Sequence, residues 1–108
     1  MMRLMIAAAV VLILTEAALA LSPAAQRGFV FVKTNCSGCH AIGPGGTSPL
    51  PIAPPFRTLH ERYPVEDLQE SLAEGIVTGH PSMPQFMLDL GQIDDVISYL
   101  KSLEKPGK

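Results

Sequence analysis

Cys36-Ser37-Gly38-Cys39-His40 place two thiols and an imidazole at a spacing with few chemical uses. The pattern is C-x-x-C-H. Two thiols on one turn can reach both vinyl groups of a single porphyrin and form thioethers, which is how haem is attached covalently. The imidazole that follows is then held beside the iron, where it can serve as proximal ligand. C-x-x-C without the histidine would also suit a redox dithiol, a disulfide or half of a zinc site. The chain has only two cysteines, so no second pair completes a zinc site. No βαβ pattern surrounds them, as a thioredoxin-like dithiol would require. The motif therefore predicts one covalent haem c held through Cys36 and Cys39. A tethered haem implies redox work, with the protein supplying orientation, burial and electrostatics.

Such a motif needs rigid elements around it. Ser22-Pro23 reads as a helix start, with a capping hydroxyl before proline at the first helical position. Ala25, Gly28, Phe29 and Val32 then recur at helical spacing. Lys33 suits the last turn, and the helix should end at or just before Cys36. Residues 42–55 hold Gly43, Pro44, Gly45, Gly46, Pro49, Pro51, Pro54 and Pro55, and predict a loop. A loop this long counts against a compact domain unless something organises it, and a porphyrin edge could do so. Pro64 opens a second helix with Glu66 and Asp67 in its first turn. Val65, Leu68 and Leu72 line one side, and Gly75 stops it. A second loop runs from Gly79 to about Leu90. The last helix is expected over roughly Gln92 to Glu104, with Ile93, Val96, Ile97, Leu100 and Leu103 as its apolar stripe. No stretch alternates as a strand would, and no internal repeat is present.

The 108 residues allow one domain. The first twenty do not read as part of it. Arg3 gives a positive start, Leu4 to Leu14 is unbroken apolar sequence, and Ala18-Leu19-Ala20 matches an A-x-A cleavage site. We read residues 1–20 as a signal peptide and 21–108 as the mature domain. An uncleaved membrane anchor is the rival reading. A spanning helix needs about 20 apolar residues, and Glu16 interrupts this run. Formal net charge is −2. The leader carries one base and one acid, so the mature domain keeps that balance. There is no basic stripe for nucleic acid and no strong lysine ring for an acidic partner. Domains this short have limited core and often lean on a metal, a disulfide or a partner. The mature part has six aromatics, Phe29, Phe31, Phe56, Phe86, Tyr63 and Tyr99. A buried haem would supply the missing apolar volume.

From about Gln26 to Leu103 the chain resembles a class I cytochrome c of the small bacterial type. The resemblance is most specific at Cys36-Ser37-Gly38-Cys39-His40. It implies an all-α cytochrome c fold, with three main helices and long loops wrapped around one covalent haem. It assigns the thioether positions to Cys36 and Cys39 and the proximal ligand to His40. The family's second axial ligand is a methionine sulfur from a later loop. Met83, in Pro81-Ser82-Met83-Pro84, fits that pattern better than Met87, which is expected to pack against the haem or the last helix. His80 is a minor candidate for the same position, and His60 is expected to be solvated. Pro54 resembles the family proline whose carbonyl accepts the other ring N–H of the proximal histidine, with Pro55 as runner-up. Phe56 is expected to contact the haem. Gly28 and Tyr99 resemble the family's helix-crossing pair. The family often has an aromatic four residues before the first cysteine, whereas this chain has Val32.

The function implied is one-electron transfer by an exported, periplasmic, soluble monohaem protein, with no catalysis of its own. Six-coordinate iron leaves no position for substrate. The partners implied are a quinol-oxidising complex or a periplasmic dehydrogenase as donor, and an oxidase or reductase as acceptor. Contact with a membrane would come only through those partners or an uncleaved leader. The alternatives are a haem-based gas sensor or enzyme subunit with a labile sixth ligand, and a thiol redox protein without haem.

Overall fold

The computed structural model describes residues 21–75 and 83–104. The leader, His80 and the Lys105-Pro106-Gly107 terminus lie outside them. Three α-helices and two 3₁₀ turns make up the regular structure, and no strand occurs among the described residues.

Helix α1 runs Pro23–Asn35. The Ser22 side chain accepts from Ala25 N at 3.1 Å, and Pro23 holds the first position, where its missing N–H costs nothing. At the far end, side chains add bonds to carbonyls four residues back, of which Lys33 O is one of the last four that lack an intrahelical partner. Thr34 Oγ1 donates to Val30 O, Asn35 Nδ2 to Phe31 O and Ser37 Oγ to Lys33 O.

Helix α2 spans Leu68–Glu74. It is preceded by a 3₁₀ turn over Val65–Asp67, so the element opened by Pro64 begins tighter than an α-helix. Gly75 ends it at φ +100°, a conformation that favours glycine. A second 3₁₀ turn, Phe56–Glu61, follows the first loop.

Helix α3 spans Leu90–Ser102, two residues earlier at both ends than the apolar stripe predicts. Asp89 is the reason. Its carboxylate accepts from Gln92 N at 2.8 Å, while Asp89 N donates to Gln92 Oε1 at 3.1 Å. This reciprocal capping box starts the helix upstream of its first buried residue.

Helices α1 and α3 form the main packing unit. Ala25, Val32, Leu59, Val65, Ile93, Val96, Ile97, Tyr99 and Leu100 make one buried cluster. The crossing point is Gly28. A Cβ there would run into the Asp95 carbonyl and meet Tyr99 Cβ at 2.9 Å. Beside it the Phe29 and Tyr99 rings meet edge to face, 5.5 Å apart. Across the same crossing Arg27 reaches both Asp95 carboxylate oxygens, at 3.1 and 3.2 Å.

Candidate cofactor site

The end of α1 runs directly into the C-x-x-C-H motif. Cys36 N and Ser37 N both donate to Val32 O, at 2.8 and 3.1 Å. Cys39 N and His40 N return to Cys36 O, at 3.2 and 3.0 Å. The five residues thus form one wound turn, which brings Cys36, Cys39 and His40 to the same side of the molecule. Both cysteines are free and half-buried. Burial pushes the Cys36 thiol up to about 11, so it is protonated at neutral pH. Among the described residues no three His, Cys, Asp or Glu side chains are grouped so as to hold a metal ion. That includes the two thiols and the imidazole of this turn.

All three face a large cavity of about 980 Å³. Drug-sized ligand sites fall at or below about 1,000 Å³, so this one sits at the upper end. Its wall is mostly apolar. Phe31, Val32 and Cys36 come from α1 and the turn after it. Leu50, Ile52, Ala53 and Pro54 come from the first loop, Phe56 from the 3₁₀ turn that follows it, Leu68 and Leu72 from α2, and Val96 and Leu100 from α3. Met83, Pro84, Phe86 and Leu88 line it from the second loop. Polar groups on the wall include Asn35, Arg62, Tyr63, Asp67 and Ser71. Protein interiors seldom leave voids larger than a water molecule. A chain that holds apart this much apolar wall is shaped around something else. The size, the apolar lining, the paired thiols and the imidazole all fit a porphyrin bound through this turn.

His40 is held on two sides. Its Nδ1 lies 2.8 Å from Pro54 O. A carbonyl can only accept, so Nδ1 carries the proton and Nε2 carries the lone pair. The Phe56 ring lies 4.8 Å from the imidazole, tilted by 40°. The loop that presents Pro54 and Phe56 is irregular but well tied. Leu50 N donates to Cys39 O, Phe56 N to Ala41 O, and Ala53 N to Leu50 O, at 2.9–3.0 Å. Arg57 Nη1 donates to Gly46 O at 2.8 Å, and Tyr99 Oη on α3 donates to Ile42 O at 2.7 Å. Burial also pushes the Tyr99 phenol up.

Met83 is half-buried on the cavity wall. Met87 is not on it. It is 71% exposed, with its Cγ over Gly75, so the packing role expected for it is corrected. The loop leaves the cavity at that point. Leu88 N donates to Leu72 O at 2.8 Å, which turns Leu88 inward and Met87 outward. His60 lies in the 3₁₀ turn Phe56–Glu61 and is not on the cavity wall. Sequence reasoning did not single out Ser48, whose buried hydroxyl accepts from Ala41 N at 3.0 Å. A serine in a Gly/Pro-rich loop carries no signal that separates it from solvated neighbours.

A sequence model described as Cytochrome c matches residues 25–104. The chain is also 30% identical over 84 residues to a protein named Cytochrome c-552 from Bradyrhizobium diazoefficiens. That alignment covers 78% of this chain and 79% of the relative. No solved structure gives a significant match. The family match runs from the helix before the motif to the end of the helix that closes the cavity, so the chain belongs to the cytochrome c family and is a small c-type cytochrome.

Proposed function

We propose that this haem electron carrier is exported to the periplasm and shuttles single electrons between respiratory or dehydrogenase partners. The observation that supports this most is the shared cavity. Cys36, Cys39, His40 and Met83 all line it, and His40 already has Nδ1 committed to Pro54 O. When bound, a haem c supplies a one-electron ferric–ferrous couple.

The chain's own residues do the rest. Cys36 and Cys39 anchor the group as thioethers. His40 offers the Nε2 lone pair, and the Pro54 carbonyl fixes its tautomer and increases its basicity. Met83 offers a soft thioether, which favours the reduced metal and raises the potential. The apolar walls exclude water, so little solvent must rearrange when the charge changes. His40 and Met83 would be the two side chains that hold the metal, and a site closed in that way would carry electrons and make no bonds to substrate. Export rests on the leader pattern at residues 1–20, with cleavage after Ala20.

Pyridine haemochrome analysis of protein matured in an exporting, haem-ligating host should show one covalent haem c per chain. The intact mass should correspond to a start at Leu21. A colourless product with both thiols free overturns the reading. The Met83→Ala variant should lose the iron–sulfur charge-transfer band of the oxidised form and gain rapid carbon monoxide binding when reduced. If the band survives, Met83 is not the ligand. If the wild type itself binds carbon monoxide rapidly and fully, the site is a sensor or enzyme site instead.

A further inference from the structure

We propose that Ser48 is a positioning residue for His40, an inference that rests on reading His40 as an axial ligand. Ser48 is 6% exposed, the one buried polar residue among those described. A hydroxyl is buried at a cost unless it is bonded, and this one accepts from Ala41 N at 3.0 Å.

The location gives the bond its meaning. Ala41 N–H belongs to the planar peptide unit that joins His40 to Ala41. Holding that unit sets the backbone angle on the C-terminal side of His40. The unit on the N-terminal side, Cys39–His40, is held by Leu50 N on Cys39 O at 3.0 Å. The ring itself is held by Pro54 O. His40 is thus clamped at both flanking peptides and at its side chain, all by one loop. Leu50 N and Pro54 O are main-chain atoms, which no substitution deletes while the loop keeps its path. Ser48 Oγ is the side-chain member of the clamp.

Removing it frees the His40–Ala41 plane to rotate. The ring then meets Pro54 O less squarely and becomes a weaker donor. A weaker donor stabilises ferric iron less, so the reduction potential rises.

The test uses the haem-loaded protein, comparing wild type, Ser48→Ala, Ser48→Thr and Ile93→Val. Ile93 is a buried α3 residue off the cavity wall, so its variant reports a loss of core packing alone. Voltammetry should show an upward potential shift in Ser48→Ala, and NMR should show displaced His40 ring resonances. Exchange of the Ala41 amide should be slow in the wild type and at least tenfold faster in Ser48→Ala. Ser48→Thr should restore all three. Ile93→Val should lower the melting temperature and leave the potential unmoved. The proposal is overturned if Ser48→Ala melts earlier with potential and ring resonances unchanged, if its potential falls, or if threonine fails to rescue. Should Ser48→Ala yield no folded holoprotein, wild-type exchange decides, and an unprotected Ala41 amide overturns the proposal. A wild type without covalent haem refutes the axial-ligand reading, whereas a normal wild type beside an indifferent Ser48→Ala refutes only the role of Ser48.

Discussion

Tyr99 shows how much one side chain does here. Its ring packs against Phe29 at the α1–α3 crossing, and its hydroxyl reaches Ile42 O, just past the motif. The same residue therefore joins the last helix to the loop that shapes the cavity. Tyr99→Phe keeps the ring and removes the donor. It should cost about 0.5–1.5 kcal/mol, the net worth of one such hydrogen bond. Chemical denaturation of the holoprotein would measure this, and a variant as stable as the wild type would show that the hydroxyl is idle. At this scale the chain was legible wherever chemistry demands particular residue types at a fixed spacing, as in Cys36-Ser37-Gly38-Cys39-His40. It was not legible for Ser48 or for the Tyr99 hydroxyl. Their partners are 7 and 57 residues away and are main-chain atoms, which leave no mark on composition.

Between helices, the decisive contact is the missing side chain at Gly28. The obstacle to a Cβ there is backbone, the Asp95 carbonyl, and backbone cannot swing aside as a side chain can. Gly28→Ala should force α1 and α3 apart and destabilise the protein by about 3 kcal/mol, the upper end for overpacking. A thermal melt checks this, and a loss near zero would mean that the helices reseat freely. Helix α1 was readable in full because Ser22, Pro23 and the cysteine turn mark both ends. The onset of α3 was misjudged because Asp89 and Gln92 cap it before the apolar stripe begins. The 3₁₀ turn Phe56–Glu61 had no signature, since six residues are too few to show a period. A pair between elements also carries a pH signature. Lys101 donates to Glu66 Oε2 at 2.8 Å, linking α3 to the turn before α2. This bond holds the Glu66 carboxyl below its ordinary value and the Lys101 ammonium above its own. A lowered folded-state value means that the pair's contribution is present above the unfolded carboxylate range. It is lost as pH falls through the lowered value. Glu66→Gln should flatten the acid limb of melting temperature against pH. The effect should be small and should shrink with salt, because both side chains are exposed. An acid limb identical to that of the wild type would show that the pair is inert.

For the molecule as a whole, the cavity is the largest single fact. A mostly apolar cleft of about 980 Å³ opens into a short domain whose buried side chains are few. Apolar walls this extensive are not held apart by protein contacts alone. A haem bound there would be part of the core as well as the site of chemistry. A Cys36→Ser/Cys39→Ser chain produced without haem should lose most of its helical circular dichroism and melt without cooperativity. A sharp transition at the holoprotein's temperature would show that the fold closes on its own. The need for such a filler was legible in the sequence, in the scarcity of aromatics and the length of the Pro/Gly loop. The identity of the walls was not, because it depends on which faces of three distant segments converge.

One bond has a different kind of durability. The oxygen opposite Nδ1 of His40 belongs to residue 54 whatever that residue's side chain may be. Genetic drift at this codon can exchange the pyrrolidine ring for another group and still leave an acceptor in place. Only rerouting the strap that carries it, by insertion or deletion, would take the acceptor away. Tolerance to point changes and intolerance to changes of length should therefore coexist in the same short stretch.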